Sequence, residues 1–305
     1  MPYSLSNLLV IGISSRALFD LGKEAQIYKE KGLDEYIQYQ LEHEDKVLKP
    51  GTAFPLVKGL LALNERKERL VEVIVMSKNS PDTGLRIFNS IEHHGLDITR
   101  VALTGGEPLA RYLEAFDIDL FLSKSESDVQ AAIDAGFAAA LLYDPPTEHT
   151  TQADKVRIAF DADAVLFSEE SEAIYKNQGL AAFFENERQN ANKPLQEGPF
   201  AKLLKALSTM QQGFDPADAP VRIAIVTARN SPAHERVIKT LRAWGVRVDA
   251  AFFLGGIQKD KVLKAFGAQI FFDDQEVHLG LASAVVPSGR VPYKTGSVLN
   301  QGSEL

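Results

Sequence analysis

Carboxylate residues directly follow two apolar runs in the second half of the sequence. Asp161 and Asp163 come after VRIAF, and Asp273 with Asp274 comes after QIFF. Apolar runs that end in polar turns indicate strands of a parallel sheet, whose carboxyl ends form the crevice where ligands bind. Two carboxylates two residues apart could divide the work of phosphoryl transfer, since one can attack phosphorus while the other handles the leaving group's proton. Crowded carboxylates need a cation, and hard oxygen ligands suit Mg²⁺, so the pattern predicts a magnesium site.

A threonine at the end of another apolar run could hold a phosphate. Thr227 ends IAIVT and is followed by ARNSP, which predicts a turn leading into a helix. A hydroxyl and backbone N–H groups at such a turn form a natural phosphate cradle, helped by the helix N-terminus. Thr227, Ala228 and Arg229 are therefore predicted to bind substrate. The simpler interpretation of Thr227 is an N-cap of the helix.

A lysine after paired glycines is the remaining candidate. Gly255 and Gly256 precede Lys259, whose ammonium could neutralise charge on a phosphoryl group during transfer. Lys261 is the rival for this role. Taken alone, Lys259 would more often be a solvated residue of a helix. Each of the two acidic pairs, taken alone, would more often be a solvated turn. Only the four pieces in this order favour the functional interpretation.

The order of the four pieces resembles that of a known superfamily. DxD, Thr, Lys and DD, each near a strand end or a helix start, resemble the motifs of the haloacid-dehalogenase-like phosphotransferases. The segments FDADAVLFSEESE (160–172), NKPLQEGPF (192–200), VTARNSP (226–232) and IFFDDQ (270–275) further resemble the cytosolic 5'-nucleotidases of type I, the AMP-preferring class. So do SSRALF (14–19), EKGLDEYIQYQLEHE (30–44) and GTAFPLVKGL (51–60), which extends the resemblance over nearly the whole chain.

The resemblance implies a division of roles among the motif residues. By it, Asp161 is the nucleophile that forms an aspartyl-phosphate, while Asp163 acts first as an acid and then as a base. Thr227 and Lys259 hold the transferring phosphoryl group. The resemblance also implies a nucleoside 5'-monophosphate as substrate, with AMP first. Two alternatives stay open, namely a phosphatase for another small phosphate ester and a non-catalytic regulator that binds a nucleotide.

The predicted magnesium site draws on the same acids. The sequence contains no cysteine, and its six histidines show no metal-ligand spacing, so the expected ligands are all oxygen atoms. A backbone carbonyl near Asp163 is expected to join the side chains of the other acids. The predicted ligand residues are Asp161, Asp163, Asp273 and Asp274.

The sequence contains an internal repeat. IVMSKNSP (74–81) matches IVTARNSP (225–232), TGGEPLARYLEAF (104–116) matches LGGIQKDKVLKAF (254–266), and IYKEKGL (27–33) matches IYKNQGL (174–180). The offsets between partners run from 147 to 151. Chance does not keep several blocks collinear at a nearly constant offset, so we interpret the chain as a tandem duplication.

Each copy is predicted to form an α/β lobe around a parallel sheet. Apolar strands alternate with amphipathic helices, as in Rossmann-like sheets with right-handed crossovers, and the resemblance specifies the haloacid-dehalogenase-like fold. The long helical stretch after the first strand, at 21–68 and 169–212, is too large for a simple crossover and is interpreted as an inserted cap. In the second cap, Tyr175, Phe183 and Phe184 could stack on a base, although their spacing is more typical of core residues.

The predicted domains are residues 1–150 and 151–305. The boundary falls in DPPTEHTTQADK (144–155), which is rich in proline, threonine and charge, as linkers are. Because this linker is short, we expect the two lobes to pack as one rigid unit. The Gly/Ser-rich tail from about Pro292 is expected to dock loosely or to fray.

The first copy lacks the residues of the proposed chemistry. Alignment of the repeats places uncharged or basic residues at its motif positions, namely Ile13, Ser15, Met76, Leu109, Ser123 and Lys124. No carboxylate remains there to attack phosphorus or to bind a metal, so the first copy is predicted to be catalytically silent. Ser14, Ser15 and Arg16 could still bind an anion, and polar capping of a strand-end turn is the simpler interpretation.

Composition narrows the class of protein and its partners. The net charge is −8 and cysteine is absent, which disfavours a broad surface for nucleic acid and excludes disulfides and cysteine catalysis. No apolar run approaches the roughly 18 residues needed to cross a bilayer, and the N-terminus is more typical of a strand than of a signal peptide. We therefore expect a cytoplasmic protein with a small-molecule nucleotide substrate and with neither a nucleic-acid polymer nor a membrane as partner. The sequence leaves a homo-oligomer open.

Overall fold

In the part of the chain that the structure describes, ten strands form one large sheet and two more form a small separate sheet. The computed structural model describes residues 4–65, 69–146 and 155–300, so the predicted boundary between residues 150 and 151 lies outside the described residues. The strands are β1 (Leu9–Ser14), β2 (Phe19–Asp20), β3 (Lys49–Pro50), β4 (Val71–Ser77), β5 (Arg100–Leu103), β6 (Leu120–Ser123), β7 (Ala139–Leu142), β8 (Val156–Phe160), β9 (Val221–Thr227), β10 (Ala250–Phe253), β11 (Ile270–Asp273) and β12 (Ser288–Arg290).

Helices lie between the strands along most of the chain. They are α1 (Ser15–Leu18), α2 (Gly22–Lys31), α3 (Leu33–Glu42), α4 (Phe54–Leu61), α5 (Leu85–His93), α6 (Ala110–Leu113), α7 (Glu126–Asp134), α8 (Glu170–Gln189), α9 (Ala201–Gln212), α10 (His234–Ala243), α11 (Asp260–Phe266) and α12 (Glu276–Ala282). Among the described residues, no helix combines the length and apolar character needed to span a membrane.

The large sheet has the same strand order in each half of the chain. Its full order is β10-β9-β8-β11-β12-β7-β6-β1-β4-β5, and every neighbouring pair is parallel except β12 with β7. Counted within its own half, each set of five strands follows the order third, second, first, fourth, fifth. The predicted α/β class is therefore confirmed, and the structure has one large, mostly parallel sheet.

Buried apolar strands explain why the sheet forms. Every residue of β1 (LVIGIS) and β4 (VEVIVMS) is buried, as expected for parallel strands that helices cover on both faces. Amphipathic helices supply this cover, since α5 buries Ile87 and Ile91 and α10 buries Val237 and Leu241. The loops at the carboxyl ends of the strands are thus fixed by a continuous core beneath them.

A broken helix follows the first strand of each half. In the second half, Gly179 interrupts α8 with φ of 81°, and in the first half Gly32 separates α2 from α3 with φ of 90°. Residues with a Cβ rarely adopt this region, so glycine is required at both breaks. The matched sequences IYKEKGL and IYKNQGL thus have the same local structure.

Part of the predicted cap belongs to the main core instead. Within the segment 169–212, α9 buries Leu203, Leu204 and Leu207 in the same hydrophobic core as the strands. These three side chains repeat at helical spacing and form one apolar face, which packs on the sheet. Only the segment around α8 remains as a candidate cap.

The two halves join edge to edge through their last strands. Gly289 of β12 lies opposite Leu142 of β7, and Arg290 lies opposite Leu141, in an antiparallel ladder. A Cβ added at Gly289 would lie 3.0 Å from the Ala140 side chain, so a residue without a side chain suits this close contact. One hydrophobic core contains side chains of both halves. The structure therefore has one continuous sheet where the sequence predicted a sheet for each lobe.

This junction gives a prediction about truncation. A fragment that begins at Lys155 loses β7 and exposes the edge of β12 together with core side chains of the second half, and exposed edges promote aggregation. We expect the fragment to be poorly soluble or weakly active compared with the full chain. Size-exclusion chromatography and phosphate release measure the two properties. A monomeric, stable and fully active fragment would contradict the prediction.

Candidate active site

Parallel pairing of β8 with β11 brings the two acidic turns together. Phe160 lies opposite Phe272 in the ladder, and the Asp161 N–H donates to the Phe272 carbonyl oxygen at 2.8 Å. Asp161 directly follows β8 and Asp273 ends β11, so both carboxylates lie at the same edge of the sheet. Their exposed fractions are 4% and 0%, so both side chains are buried at this edge.

Lys259 joins these two carboxylates. It lies at the start of α11, and its Nζ donates to Asp161 Oδ1 and to Asp273 Oδ2, both at 2.6 Å. The two carboxylates raise the pKa of the lysine against the lowering effect of its burial, so the ammonium stays charged. The rival candidate Lys261 is exposed to solvent. The structure therefore brings together three of the residues singled out from the sequence.

Asp274 completes a group of three acids that could share a cation. Carboxylate oxygens of Asp161, Asp273 and Asp274 all lie within 4.8 Å of one another. In residues 4–65, 69–146 and 155–300 this is the one such group of three or more acids, histidines or cysteines. Asp274 Oδ1 is buried and has no hydrogen-bond partner among the described residues. A buried oxygen that has no hydrogen-bond partner and lies next to two other carboxylates is available to bind a metal ion.

Charge and burial indicate that this group fits a divalent cation. Three carboxylates and the ammonium of Lys259 leave a formal charge of about −2, and uncompensated buried charge is costly. Burial raises the pKa of Asp161 to about 6 and also raises the pKa of Asp273. Burial and the neighbouring Asp273 raise the pKa of Asp274 well above its ordinary value. A hard divalent ion would satisfy all three acids with oxygen ligands.

Asp163 has a different partner. Its Oδ2 accepts from Arg229 Nε at 2.7 Å, and its Oδ1 accepts from the other side of the same guanidinium. Asp163 is not a member of the group of three acids. The guanidinium of Arg229, predicted from the sequence to bind substrate, is buried and engaged by Asp163 and Glu187. The planar two-bond contact fixes the orientation of the Asp163 carboxylate.

Glu187, which the sequence analysis did not single out, organises this network. It is fully buried on α8 and accepts from Arg229 Nη1 at 2.5 Å, from Arg236 Nη1 at 2.9 Å and from the Ser171 hydroxyl at 2.9 Å. Two guanidiniums thus share one carboxylate. Because Arg229 also contacts Asp163, the network links α8 to the crevice.

Replacing Glu187 with Gln is expected to destabilise the protein. The change removes the charge that two buried guanidiniums share, and breaking a buried ion pair costs about 3–5 kcal/mol. The free energy of unfolding from denaturant titration measures the effect. The matched control is Glu185→Gln on the same helix, where an exposed pair with Arg188 contributes about 0–1 kcal/mol. Equal losses in the two variants would argue against a structural role for the buried network.

Thr227, predicted from the sequence to hold a phosphate, lies at the carboxyl end of a strand that neighbours β8. It ends β9 next to β8, and its Oγ1 accepts the Arg229 N–H at 3.2 Å, which leaves its own hydrogen for a ligand. Ala228 follows and is exposed. Gly255 and Gly256, with φ of 58° and 91°, form the neighbouring turn before Lys259. Thr227 and this glycine turn therefore lie at the same edge of the sheet as the acids.

The C-terminal tail contributes a residue that sequence reasoning missed. The Tyr293 hydroxyl donates to Asp274 Oδ2, and the Ser297 hydroxyl donates to Glu169 at 2.5 Å. Leu299 is only 6% exposed. The expectation that the tail docks loosely or frays is therefore wrong for residues 292–300, because specific polar contacts hold a segment of low apolar content.

The aromatic candidates of α8 differ in their surroundings. Phe183 is 7% exposed, and the guanidinium carbon of Arg229 lies 5.3 Å from its ring centroid. Its ring therefore packs on the Arg229–Glu187 network. Tyr175 is 48% exposed and Phe184 is partly exposed, so these two rings keep accessible surface.

Comparisons with known proteins identify the family of this chain. A model of the 5'-nucleotidase family, described as 5'-nucleotidase, matches residues 1–298. Human "Cytosolic 5'-nucleotidase 1B" is 38% identical over 290 residues, which covers 91% of this chain and 48% of that protein. The chain thus spans about half the length of that relative.

A comparison of structures adds no argument about the fold. A Pseudomonas aeruginosa UCBPP-PA14 protein assigned as a universal stress protein matches with a TM-score of 0.34 and 9% identity, over 93% of each chain. The assignment rests on the match to the family model instead, because the matched range, residues 1–298, covers nearly the whole chain. The chain therefore belongs to the 5'-nucleotidase family.

Proposed function

We propose that this protein is a magnesium-dependent 5'-nucleotidase that hydrolyses nucleoside 5'-monophosphates, with AMP first, to a nucleoside and phosphate. The observation that carries the proposal is the group formed by Asp161, Asp273, Asp274 and Lys259 at the carboxyl edge of the sheet. It lies within the region that matches the family model. The group combines a nucleophile, a cation site and a fixed ammonium, which phosphoryl transfer requires.

Asp161 is the proposed nucleophile. One of its carboxylate oxygens attacks phosphorus, an acyl-phosphate bond forms, and the bond from phosphorus to the 5'-oxygen breaks. Lys259 and Thr227 would stabilise the charge on the three peripheral oxygens, where most of the catalytic advantage of such a reaction arises. Water then attacks phosphorus, which releases phosphate and restores the carboxylate of Asp161.

Asp163 is the proposed acid and base. It would donate a proton to the departing 5'-oxygen in the first step and accept a proton from water in the second. Support comes from the Arg229 guanidinium, which holds both oxygens of the Asp163 carboxylate close to the crevice.

Mg²⁺ fits the proposed cation site, with Asp161, Asp273 and Asp274 as side-chain ligands and a carbonyl near Asp163. When bound, the ion would neutralise the acids and the phosphoryl oxygens together. Support comes from the unpartnered Asp274 Oδ1 and from the formal charge of the cluster. Tyr293 would hold Asp274 in position through its hydroxyl.

We further propose that the chain arose by tandem duplication of a haloacid-dehalogenase-like unit. Residues 1–150 would be a catalytically silent copy and residues 151–305 the catalytic copy. Support comes from the equal strand order of the halves and from the matched breaks at Gly32 and Gly179. The segment around α8 would form a cap over the leaving-group side of the crevice. The human relative is named cytosolic, which supports a cytoplasmic location for this chain.

A panel of phosphate esters tests the substrate class. We expect kcat/KM for AMP to exceed that for IMP, GMP, CMP, UMP and the deoxynucleotides, and to exceed strongly that for glucose 6-phosphate and phosphoserine. Stacking on Tyr175 or Phe184 would contribute about 1–3 kcal/mol for any base, which separates nucleotides from sugar phosphates. A sugar phosphate or phosphoserine that surpassed every nucleotide would refute the nucleotidase proposal and favour a phosphatase for other esters.

A further inference from the structure

The first half contains a crevice at the position that corresponds to the catalytic site. A cavity of about 630 Å³ opens at the carboxyl ends of β1, β4 and β6. Its size falls within the range of about 300–1,000 Å³ that is typical of small-molecule sites. Strand ends, the turn at Gly105 and Gly106, and the helices α2 and α3 all contribute to its lining.

The motif positions of this crevice carry uncharged or basic residues where the catalytic site has acids. Ser123 and Lys124 stand where the second half has Asp273 and Asp274, and Ser15 stands opposite Asp163. The catalytic site gathers three buried acids and fits a cation, which would in turn attract a phosphate. In the first half, hydroxyl groups and an ammonium replace those acids and can donate hydrogen bonds to a phosphate directly. A phosphate would therefore need no metal ion there.

Several buried donors are available in the crevice. Ser15 and Ser77 are 6% and 4% exposed, and their hydroxyl oxygens lie 3.2 Å apart, so one of their two hydrogens remains for a ligand. Ser123 Oγ accepts the Ser125 N–H at 3.1 Å, which leaves its own hydrogen as a donor. Asn79 Nδ2 is buried and without a hydrogen-bond partner among the described residues. Buried donors without partners indicate a missing acceptor.

The charges in the lining favour an anion. Arg16, Lys78 and Lys124 supply three cations against the acids Glu24 and Asp128. Glu24 is neutralised by Arg86 at 2.6 Å, and Arg86 is not itself part of the lining.

Both lysines of the lining already form ion pairs, but the acidic partner of Lys124 is solvated. Lys78 pairs with Asp128, whereas Lys124 pairs with Asp144, whose side chain is 93% exposed and therefore screened by water. In a chain of net charge −8, a positive crevice is a local feature that needs an explanation.

The other end of the cavity is apolar and aromatic. Leu21, directly before α2, lines this end, and helices α2 and α3 contribute Ala25, Ile37 and two tyrosines. Tyr28 is 56% exposed, and its ring centroid lies 5.9 Å from that of Tyr36 in an edge-to-face arrangement. An exposed ring next to a cavity offers a stacking surface for a planar group.

We propose that this crevice is a second ligand site, which binds a phosphate-bearing molecule with a planar ring, of the nucleoside monophosphate class, without a metal ion and without hydrolysis. The phosphate lies against Ser15, Ser77, Ser123 and Lys124, and the ring lies against Tyr28. No carboxylate occupies the position of the catalytic nucleophile, where the first half has Ile13, so the bound molecule leaves unchanged.

Equilibrium dialysis of the full chain with labelled AMP in EDTA tests the proposal. We expect one bound AMP per chain in EDTA, displaced by inorganic phosphate. Lys124→Ala should weaken this binding at least about tenfold, since it removes a charge-assisted contact. Tyr28→Ala, a change at an exposed ring, should also weaken it. Lys58→Ala, an exposed lysine of α4, is the matched control and should bind like the original chain.

The outcomes separate this site from the proposed catalytic function. Absence of AMP binding in EDTA would overturn the second site, and so would binding that neither Lys124→Ala nor Tyr28→Ala weakens. Phosphate release in Mg²⁺ is measured separately, so a chain that binds AMP in EDTA but hydrolyses nothing would contradict only the proposed function. A chain that hydrolyses AMP but binds none in EDTA would contradict only the second site. Circular dichroism and thermal melting confirm that each variant is folded.

Discussion

Replacing Asp161 with Asn is expected to lower kcat/KM for AMP by on the order of 10⁴-fold or more, since a lost nucleophile removes the covalent route altogether. Asparagine has the same shape and cannot form the acyl-phosphate. The fold should persist, because burial already raises the pKa of Asp161 to about 6 and a neutral side chain relieves that burden. Steady-state phosphate release and thermal melting measure the two effects.

The control for this variant is Asp215→Asn, an exposed aspartate outside the crevice. It should retain the activity and the melting temperature of the original chain. If Asp161→Asn kept about a tenth of the original activity or more, Asp161 could not be the nucleophile. If Asp161→Asn lost both its activity and its fold, Asp161→Glu would replace it in the test. This second variant moves the carboxylate by one methylene and should also be inactive.

Removal of divalent cations is the second change with a large expected effect. EDTA should reduce phosphate release to background, and Mg²⁺ or Mn²⁺ should restore it. Three buried acids with one ammonium repel an incoming phosphate unless a cation compensates them. Because the acids have raised pKa values without the ion, binding must displace protons. The apparent affinity for Mg²⁺ should therefore fall as the pH drops through about 6, where Asp161 becomes protonated.

Calorimetric melting gives a readout of the metal that does not depend on turnover. Mg²⁺ that binds only the folded chain should raise the melting temperature. Asp274→Asn should weaken this stabilisation, and Asp260→Asn, an acid outside the group of three, should not. Full activity in a preparation shown to be free of metal would refute the proposed site.

Most strands could be predicted from the sequence because their apolar runs are strong signals. The predicted strand segments at 71–76, 156–163, 221–226 and 268–274 all contain strands of the large sheet. The strand β12, with the sequence SGR, has no apolar pattern, and its pairing with β7 depends on tertiary contacts. For that reason the sequence indicated two sheets where the chain forms one.

The cap was overestimated for a related reason. Helix α9 lies within the helical stretch 169–212, and its apolar face resembles that of any helix that buries one side. Nothing in Leu203, Leu204 or Leu207 tells whether that face packs on the sheet or over the crevice. Only the sheet itself, which places α9 next to β9, decides the question.

The residues of the candidate site also differ in whether the sequence could indicate them. The sequence could single out four candidate residues because each lies at the end of a strand or the start of a helix, namely Asp161, Thr227, Lys259 and Asp273. The sequence could not indicate Glu187, Arg236 or Tyr293, because each contacts a partner that is distant in sequence. Arg229 was identified by its turn, but its buried contacts with two acids could not be foreseen from a single sequence.

The measurement that tests the central claim most directly locates phosphate on the protein. The chain is mixed in excess with AMP in Mg²⁺, quenched with acid during the first turnover, digested and examined by peptide mass spectrometry. The account predicts one phosphorylated peptide that contains Asp161, absent in EDTA and absent in Asp161→Asn. Phosphate on a peptide that lacks Asp161, or complete hydrolysis of AMP with no phosphorylated peptide at any quench time, would contradict it.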